Sequence, residues 1–267
     1  MTDVDTALRH RVNAARVAVR NQADFFLQQR GRVASEWKPD ETRVTFADFA
    51  ISENLLGELG RSFADDQFLS EESGLMDEVV PLESRYAWVL DPIDGTNNYA
   101  LGMAPCAISL ALLKKGMPIY GLVFDGSTGD LIEGGPGQPL LLNGKRVLPE
   151  EKAFETRSSI VGLHFPLPRG RLEAYRPLLE AVRIRSFGSA VLQLAYVALG
   201  RLDGSVDERV RLWDIAAAHA LIAASGRDLE FLSDPPFPVT AFRLEGPFIR
   251  YLAGSRPFLK HARGWLA

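Results

Sequence analysis

Residues 88–99, "WVLDPIDGTNNY", constrain this chain more than any other stretch. Apolar Trp88, Val89 and Leu90 run straight into Asp91, Pro92, Ile93 and Asp94, and then into Gly95, Thr96, Asn97 and Asn98. Pro92 presets φ for a turn, and aspartates start turns for hydrogen-bonding reasons alone. Gly95-Thr96 points the other way: it permits close backbone approach, and the free N–H groups of a helix opening there bind phosphate readily. Carboxylates beside an anion-binding nest make chemical sense when cations sit between them. The rest of the chain decides between turn formers and ligands.

At 267 residues, with 46% hydrophobic and 24% charged residues, the composition is that of a globular chain able to bury one large core or two that share a face. A formal net charge of −4 argues against general nucleic-acid binding, which needs a basic face. The single cysteine, Cys106, excludes an internal disulfide framework and suggests a reducing compartment. The first residues are charged throughout, without the apolar core of a signal peptide, and no run approaches the ~18 apolar residues of a membrane span. A cytoplasmic protein with no membrane partner is expected.

Thr6 to Arg30 carries helical spacing, with Leu8, Val12, Ala15, Val19, Ala23 and Phe26 on one stripe. "DFAISENLLGELGRSF" reads as a second helix, fading at Gly57 and Gly60. "QFLSEESG" is a short strand ending in acids, and "YAWVLD" a buried strand. "APCAISLALLKKGMPIYGLVFDG" is a strand pair around Lys115-Gly116, and Asn143-Gly144 marks a later hairpin. After a boundary near "LPEEKAFETR" the pattern changes to alternating strands and helices, ending in an Ala-rich helix stopped by Gly226. The order predicts an antiparallel-rich α+β half (1–150) followed by an α/β half (151–267), stacked as a layered sandwich.

Further acids stand at segment ends. Glu71 and Glu72 close the "QFLS" strand, where a solvated acidic turn is the plain alternative. Asp214 stands between Trp213 and an apolar helix, where an ordinary N-cap explains it equally well. Asp48 follows Thr45 by three residues and suits a first helical turn. Together, Asp48, Glu71, Asp91, Asp94 and Asp214 each end or follow an apolar segment, the usual place for a site on layered sheets. Their mutual repulsion, if gathered, calls for hard divalent cations with oxygen ligands, of which Mg²⁺ is the natural choice beside phosphate. One cysteine and four scattered histidines exclude a thiolate zinc site.

"WVLDPIDGTNNY" and "LWDIAAAHALIAASG" resemble the two signature segments of the inositol monophosphatase family of Mg²⁺-dependent, Li⁺-sensitive phosphatases. "SEESG", "KPDETRVTFAD", "LLLNGKRV" and "IRSFGSAV" resemble further family segments in the same order, nearly across the chain. The resemblance implies a layered αβαβα sandwich, a homodimer, and hydrolysis of a small phosphorylated polyol or sugar, nominally inositol 1-phosphate. Histidinol phosphate, fructose 1,6-bisphosphate and, least, a 3′-phosphoadenosine nucleotide are the alternatives, together with a non-catalytic phospho-ligand-binding relative. It implies two or three Mg²⁺ ions, one held by Glu71, Asp91 and the Ile93 carbonyl and another by Asp91, Asp94 and Asp214. Asp48 and Thr96, with Glu71, would position and deprotonate water, and the N–H groups of Gly95 and Thr96 would grip phosphate.

Gly188, Ser189 and Ala190 would border the substrate. Asp207, six residues before Trp213, stands where the family has an acid that contacts substrate hydroxyls, and Glu208 beside it is a possible substitute. Arg209 and Arg211 either meet extra negative charge on a substrate or lie on a solvated strand edge. Ser70, Arg227 and Asp125-Gly126 depart from the family text without touching an expected ligand.

Overall fold

A computed structural model of the chain describes residues 3–38, 42–73 and 78–266. Helix α1 (Asp3–Gln29) leads through a hairpin, β1 (Ser35–Trp37) and β2 (Arg43–Thr45), into α2 (Phe46–Ser62). Strand β3 (Gln67–Ser70), the short β4 (Val80–Pro81) and β5 (Tyr86–Asp94) follow, and then the single-turn α3 (Thr96–Ala100). Strands β6 (Ala107–Lys114), β7 (Met117–Asp125), β8 (Asp130–Gly134), β9 (Leu141–Leu142) and β10 (Lys145–Arg146) complete a seven-stranded sheet in the order β10-β9-β8-β7-β6-β5-β3. Lys115-Gly116 and Asn143-Gly144 all adopt positive φ at the predicted hairpin turns.

The second sheet is built from β11 (Ile160–Leu163), α4 (Leu172–Ala181), β12 (Arg183–Arg185), α5 (Ala190–Ala198), β13 (Gly204–Val210) and α6 (Leu212–Ser225). Strand β14 (Asp228–Phe231), the short β15 (Ala241–Phe242), β16 (Ile249–Gly254) and α7 (Arg256–Leu266) finish the chain. The order is β12-β11-β13-β16-β14; β11 is parallel to β12 and β13, whereas β16 runs antiparallel to β13 and β14. The expected alternating α/β half is therefore mixed: β13, α6 and β14 make one more parallel crossover, and β16 then runs between those two strands in the opposite direction.

Side chains on the large sheet alternate between two cores. Tyr86, Trp88 and Leu90 face α1 and α2, while Ala87 and Val89 face α5 and α6. A third core, with Val161, Val206 and Leu252, packs β11, β13 and β16 against α4 and α7. The layers are thus αβαβα, as the resemblance implied. With both faces covered, strands read as continuous apolar runs rather than alternating ones. Gly121 is required for this stacking: a Cβ there would lie 2.2 Å from the Ala217 carbonyl of α6. Helix α2 does not fade at Gly57 and Gly60, since fully buried Leu55 and Leu59 hold its last turns to the core. Among the described residues no helix is long and apolar enough to cross a membrane.

Candidate metal centre and active site

Strand register assembles the first acids. In the parallel pair β3–β5, Ser70 lies opposite Leu90, and the Glu71 N–H donates to the Leu90 carbonyl at 3.2 Å. Glu71 therefore arrives beside Asp91 at the same sheet end. On the other side of β5, Asp91 pairs with Ser109 of β6, whose hydroxyl donates to the Trp213 carbonyl at 3.5 Å. That contact brings the start of α6, with Asp214, over Asp91. One oxygen from each of Asp91, Asp94 and Asp214 lies within 4.8 Å of the others.

Each aspartate is oriented by committing one oxygen to the backbone around it. Asp48 Oδ2 accepts from the Thr45 N–H and hydroxyl, both at 2.7 Å, closing a capping box on α2. Asp214 Oδ2 accepts the Arg211 N–H at 2.6 Å at the equivalent position of α6. Asp91 Oδ1 accepts the Ile93 N–H at 3.1 Å, and Asp94 Oδ2 takes the Ser189 hydroxyl and the Val191 N–H at the start of α5. The helix-cap explanation thus holds for Asp48 and Asp214 and does not compete with a role at the cluster, since one oxygen caps and the other is left over, 3.4 Å from the Thr96 hydroxyl in Asp48 and beside Asp91 and Asp94 in Asp214. Ser189 is reassigned by the same geometry. Its buried hydroxyl is turned to Asp94 and not to a substrate, whereas Gly188 and Ala190 do line the cavity.

Gly95 joins strand to helix at φ 81°, and a Cβ there would meet the Gly188 and Pro105 carbonyls at 3.0 Å. Asn98 of α3 locks this junction, its amide donating to the Pro105 and Phe187 carbonyls at 2.7 and 2.6 Å. Nothing but its place in the motif marked Asn98 in the sequence. Thr96 Oγ1 sits between the Ile93 carbonyl at 2.8 Å and Asp48 Oδ1 at 3.4 Å. Lys38 of the β1–β2 turn bridges Glu71 at 2.9 Å and Glu72 at 2.5 Å, a partner the sequence left unassigned.

Electrostatics separate these acids from other buried ones. Asp66 holds Arg11 through two hydrogen bonds, and Glu133 pairs with Arg16. Asp91, Asp94 and Asp214 have no basic side chain paired with them among the described residues. Burial first, then repulsion from Glu71, Asp94 and Asp214, drives Asp91 well above the ordinary carboxylate range. Burial and the Asp94 charge do the same to Asp214. Burial raises Asp94 and Asp48 to about 7 against the hydrogen bonds from Ser189 and Thr45, respectively. A buried carboxylate cluster without cationic partners is costly unless cations neutralise it. Its all-oxygen donor set fits a hard divalent ion.

A cavity of 520 Å³ lies over this floor, lined also by Arg43, His164, Asp207, Arg209 and Arg211. Asp207 faces it, buried, and accepts the Arg209 N–H at 2.9 Å. Glu208 does not substitute for it. Adjacent strand residues face opposite sides, and Glu208 Oε1 is bound by Arg171 at 2.7 Å, Tyr175 at 2.9 Å and Arg250 at 3.5 Å. Arg209 and Arg211 line the cavity itself and not merely a solvated edge; the sequence carried no signal for Arg43 or His164.

Fold and floor together define a layered αβαβα protein with a buried carboxylate cluster, able to hold a metal ion, under a cavity of 520 Å³. Residues 3–247 match the model of the inositol monophosphatase family. An inositol-1-monophosphatase of Mesorhizobium japonicum is 31% identical over 72% of this chain and 71% of that protein. A Nus factor SuhB of Xylella fastidiosa is 29% identical over 80% of this chain and 79% of its own length. The crystal structure of the extragenic suppressor protein suhB of Bartonella henselae shares the fold, with a TM-score of 0.83 at 24% identity, over 96% of this chain and 98% of that one. The chain belongs to the inositol monophosphatase family, whose members are metal-dependent phosphatases of phosphorylated sugars and polyols.

Proposed function

We propose that the chain is a Mg²⁺-dependent phosphomonoesterase of a small polyol or sugar phosphate, nominally inositol 1-phosphate. The observation that carries this reading is the convergence of Asp91, Asp94 and Asp214 within 4.8 Å, without a paired cation among the described residues, on the floor of one cavity. Two or three Mg²⁺ ions would be held by these carboxylates with Glu71 and the Ile93 carbonyl. Bound there, they would neutralise phosphoryl oxygens and lower the pKa of water.

The chain's own groups supply the rest. Asp48, raised to about 7 by burial, is poised to accept a proton near neutral pH. The Thr96 hydroxyl, 3.4 Å from Asp48, orients the attacking water, and the turn at Gly95 lets backbone N–H groups approach the phosphate. Asp207 accepts a hydrogen bond from a substrate hydroxyl. In this reading the half up to residue 150 carries the floor apart from Asp214, and the half from 151 closes it with α5 and α6. A homodimer, sensitivity to Li⁺ and a cytoplasmic setting belong to the same reading, with no nucleic-acid or membrane partner.

Phosphate release with and without Mg²⁺ tests it, on inositol 1-phosphate, histidinol phosphate, fructose 1,6-bisphosphate and a 3′-phosphoadenosine nucleotide. Mg²⁺-dependent turnover of one of these is expected. No turnover with the cation bound would favour a non-catalytic phospho-ligand-binding relative.

A further inference from the structure

Helix α6 opens at the acidic floor and closes at a second cavity, of 350 Å³. Ile222, which lines it, stands about 12 Å along the helix from Asp214, at ~1.5 Å per residue. The wall of this cavity carries His219 and Ala223 of α6, Arg227 and Asp228 just beyond it, and Arg256 from the start of α7. None of these residues lines the first cavity. Arg227 is one of the residues at which the chain departs from the family text, and the proposed reaction makes no use of it.

Arg227 is held in place yet short of partners. It follows Gly226, which ends α6 at φ 74°, and its N–H donates to Ser225 Oγ at 3.2 Å. Its Nη2 reaches the Glu150 carbonyl at 3.3 Å and lies so near Gly200 that a Cβ there would be 3.0 Å from it. Nε and Nη1 are buried and find no acceptor among the described residues. Burial draws the guanidinium below its ordinary range; Asp203 and Glu151 oppose this from a distance, and neither forms an ion pair with it among the described residues. His219 repeats the pattern. Its ring is held by Phe237 at 4.8 Å and Phe231 at 6.2 Å, and its buried Nδ1 has no partner among the described residues. Burial lowers its pKa and so keeps the imidazole neutral, with one ring nitrogen left to donate. Buried donors without acceptors are rare in folded proteins and signal a missing partner.

The charges around this cavity favour an anion. Arg256 is exposed and meets Asp228 at only 3.4 Å, a surface pair that contributes little. Arg227 and Arg256 against Asp228, with His219 neutral, leave one positive charge in excess. Among the described residues, the acids grouped closely enough to hold a metal include none from this cavity, so it is a binding site and not a second reaction centre. We propose that the cavity at the end of α6 binds a small oxyanion, whose oxygens take the donors that Arg227 and His219 leave unused, with Arg256 beside them. Phosphate and carboxylate groups share that chemistry, since a guanidinium gives either of them charge-assisted hydrogen bonds. Ile222 and Ala223 offer an apolar side to a short carbon body.

Calorimetric titration of the full chain with inorganic phosphate and with acetate tests the site, without Mg²⁺, at pH 7 and one fixed ionic strength. The metal-free acidic floor repels both anions, and no turnover is needed, so the outcome is separate from that of the phosphatase reading. Saturable binding of phosphate at one site is expected. Arg227→Gln should weaken it by about tenfold or more, the loss of one charge-assisted hydrogen bond. Ala223→Glu places a carboxylate at an exposed helix position of the wall and removes no packed atom, so it should abolish binding even where Arg227→Gln fails to fold. Arg209→Gln, in the first cavity, should leave binding unchanged. Tighter binding of acetate than of phosphate, with the same losses, upholds the site and makes a carboxylate its ligand. No saturable binding of either anion, binding that survives both Arg227→Gln and Ala223→Glu, or binding lost in Arg209→Gln overturns it.

Discussion

The floor and the outer wall of the cavity are built in opposite ways. Every floor aspartate is braced: Asp48 and Asp214 cap their own helices, Asp91 accepts a neighbouring N–H, and Asp94 is gripped by the start of α5. On the wall, Arg43 and Arg209 rest on exposed aromatic rings, and Arg209 makes no ion pair among the described residues. Such bracing suits the proposed function, since reacting groups tolerate little displacement. On the proposed function, chemistry belongs to the braced part of the cavity and substrate choice to the other.

The largest expected effect comes from breaking the floor. Asp91→Asn removes a carboxylate shared by the cluster and should lower turnover by at least ~10³-fold, with the circular dichroism spectrum retained. Near-normal turnover in a folded variant would detach the cluster from the chemistry. Asp48→Asn should lower kcat by roughly 10²–10⁴-fold while sparing Mg²⁺ affinity, because Asp48 acts on a proton rather than on the ion. Parallel losses of both would make Asp48 a ligand.

Smaller effects sharpen the contrast. Glu208→Gln lies one residue from Asp207 but on the far face of the sheet. It should cost about 1–3 kcal/mol of stability, read in urea, and leave the ranking of substrates as it is. A changed ranking would place Glu208 in the cavity after all.

The floor also predicts a pH dependence for the protein without metal. Asp48 and Asp94 are raised from 3.8 to about 7, so between those values the folded chain binds more protons than the unfolded one. Stability contributed by the protonated carboxyls is full below pH ~4 and is lost as pH rises toward 7. The melting temperature in a chelator should fall across that window, and Mg²⁺ should flatten the fall. A metal-free melting temperature that rises from pH 4 to 7 would contradict the burial-driven shifts.

The same contrast explains what was legible in the sequence. The floor could be read because its acids sit at segment ends, within short local patterns such as Asp91-Pro92-Ile93-Asp94-Gly95-Thr96, where caps and turns impose residue types. Lys115-Gly116 and Asn143-Gly144 were legible for the same local reason. The wall was legible only at Arg209 and Arg211, whose place close before Asp214 raised the choice between meeting negative charge and lying on a solvated edge. Arg43 and His164 are brought together from a hairpin and a distant strand, and no local rule marks either as facing a cavity. Glu208 stayed open as a substitute for Asp207 because the choice between them depends on strand facing, and the register of β13 against β16 shifts just after Asp207. Ser189 was assigned to substrate because its hydroxyl has no visible partner until α5 packs beside Asp94. Beyond Gly226 no element was anticipated, although Phe258, Leu259 and Ala262 give α7 a buried stripe against the third core.

The central claim is that the floor is a cation site held together by protons when no cation is bound. Calorimetric titration of Mg²⁺ at pH 7, repeated in buffers of different ionisation enthalpy, measures binding and proton release together. The account requires saturable binding that releases protons, since carboxyls near pKa 7 must ionise to bind a cation, and loss of both in Asp214→Asn. Absence of binding, or binding without proton release that survives Asp214→Asn, would contradict it.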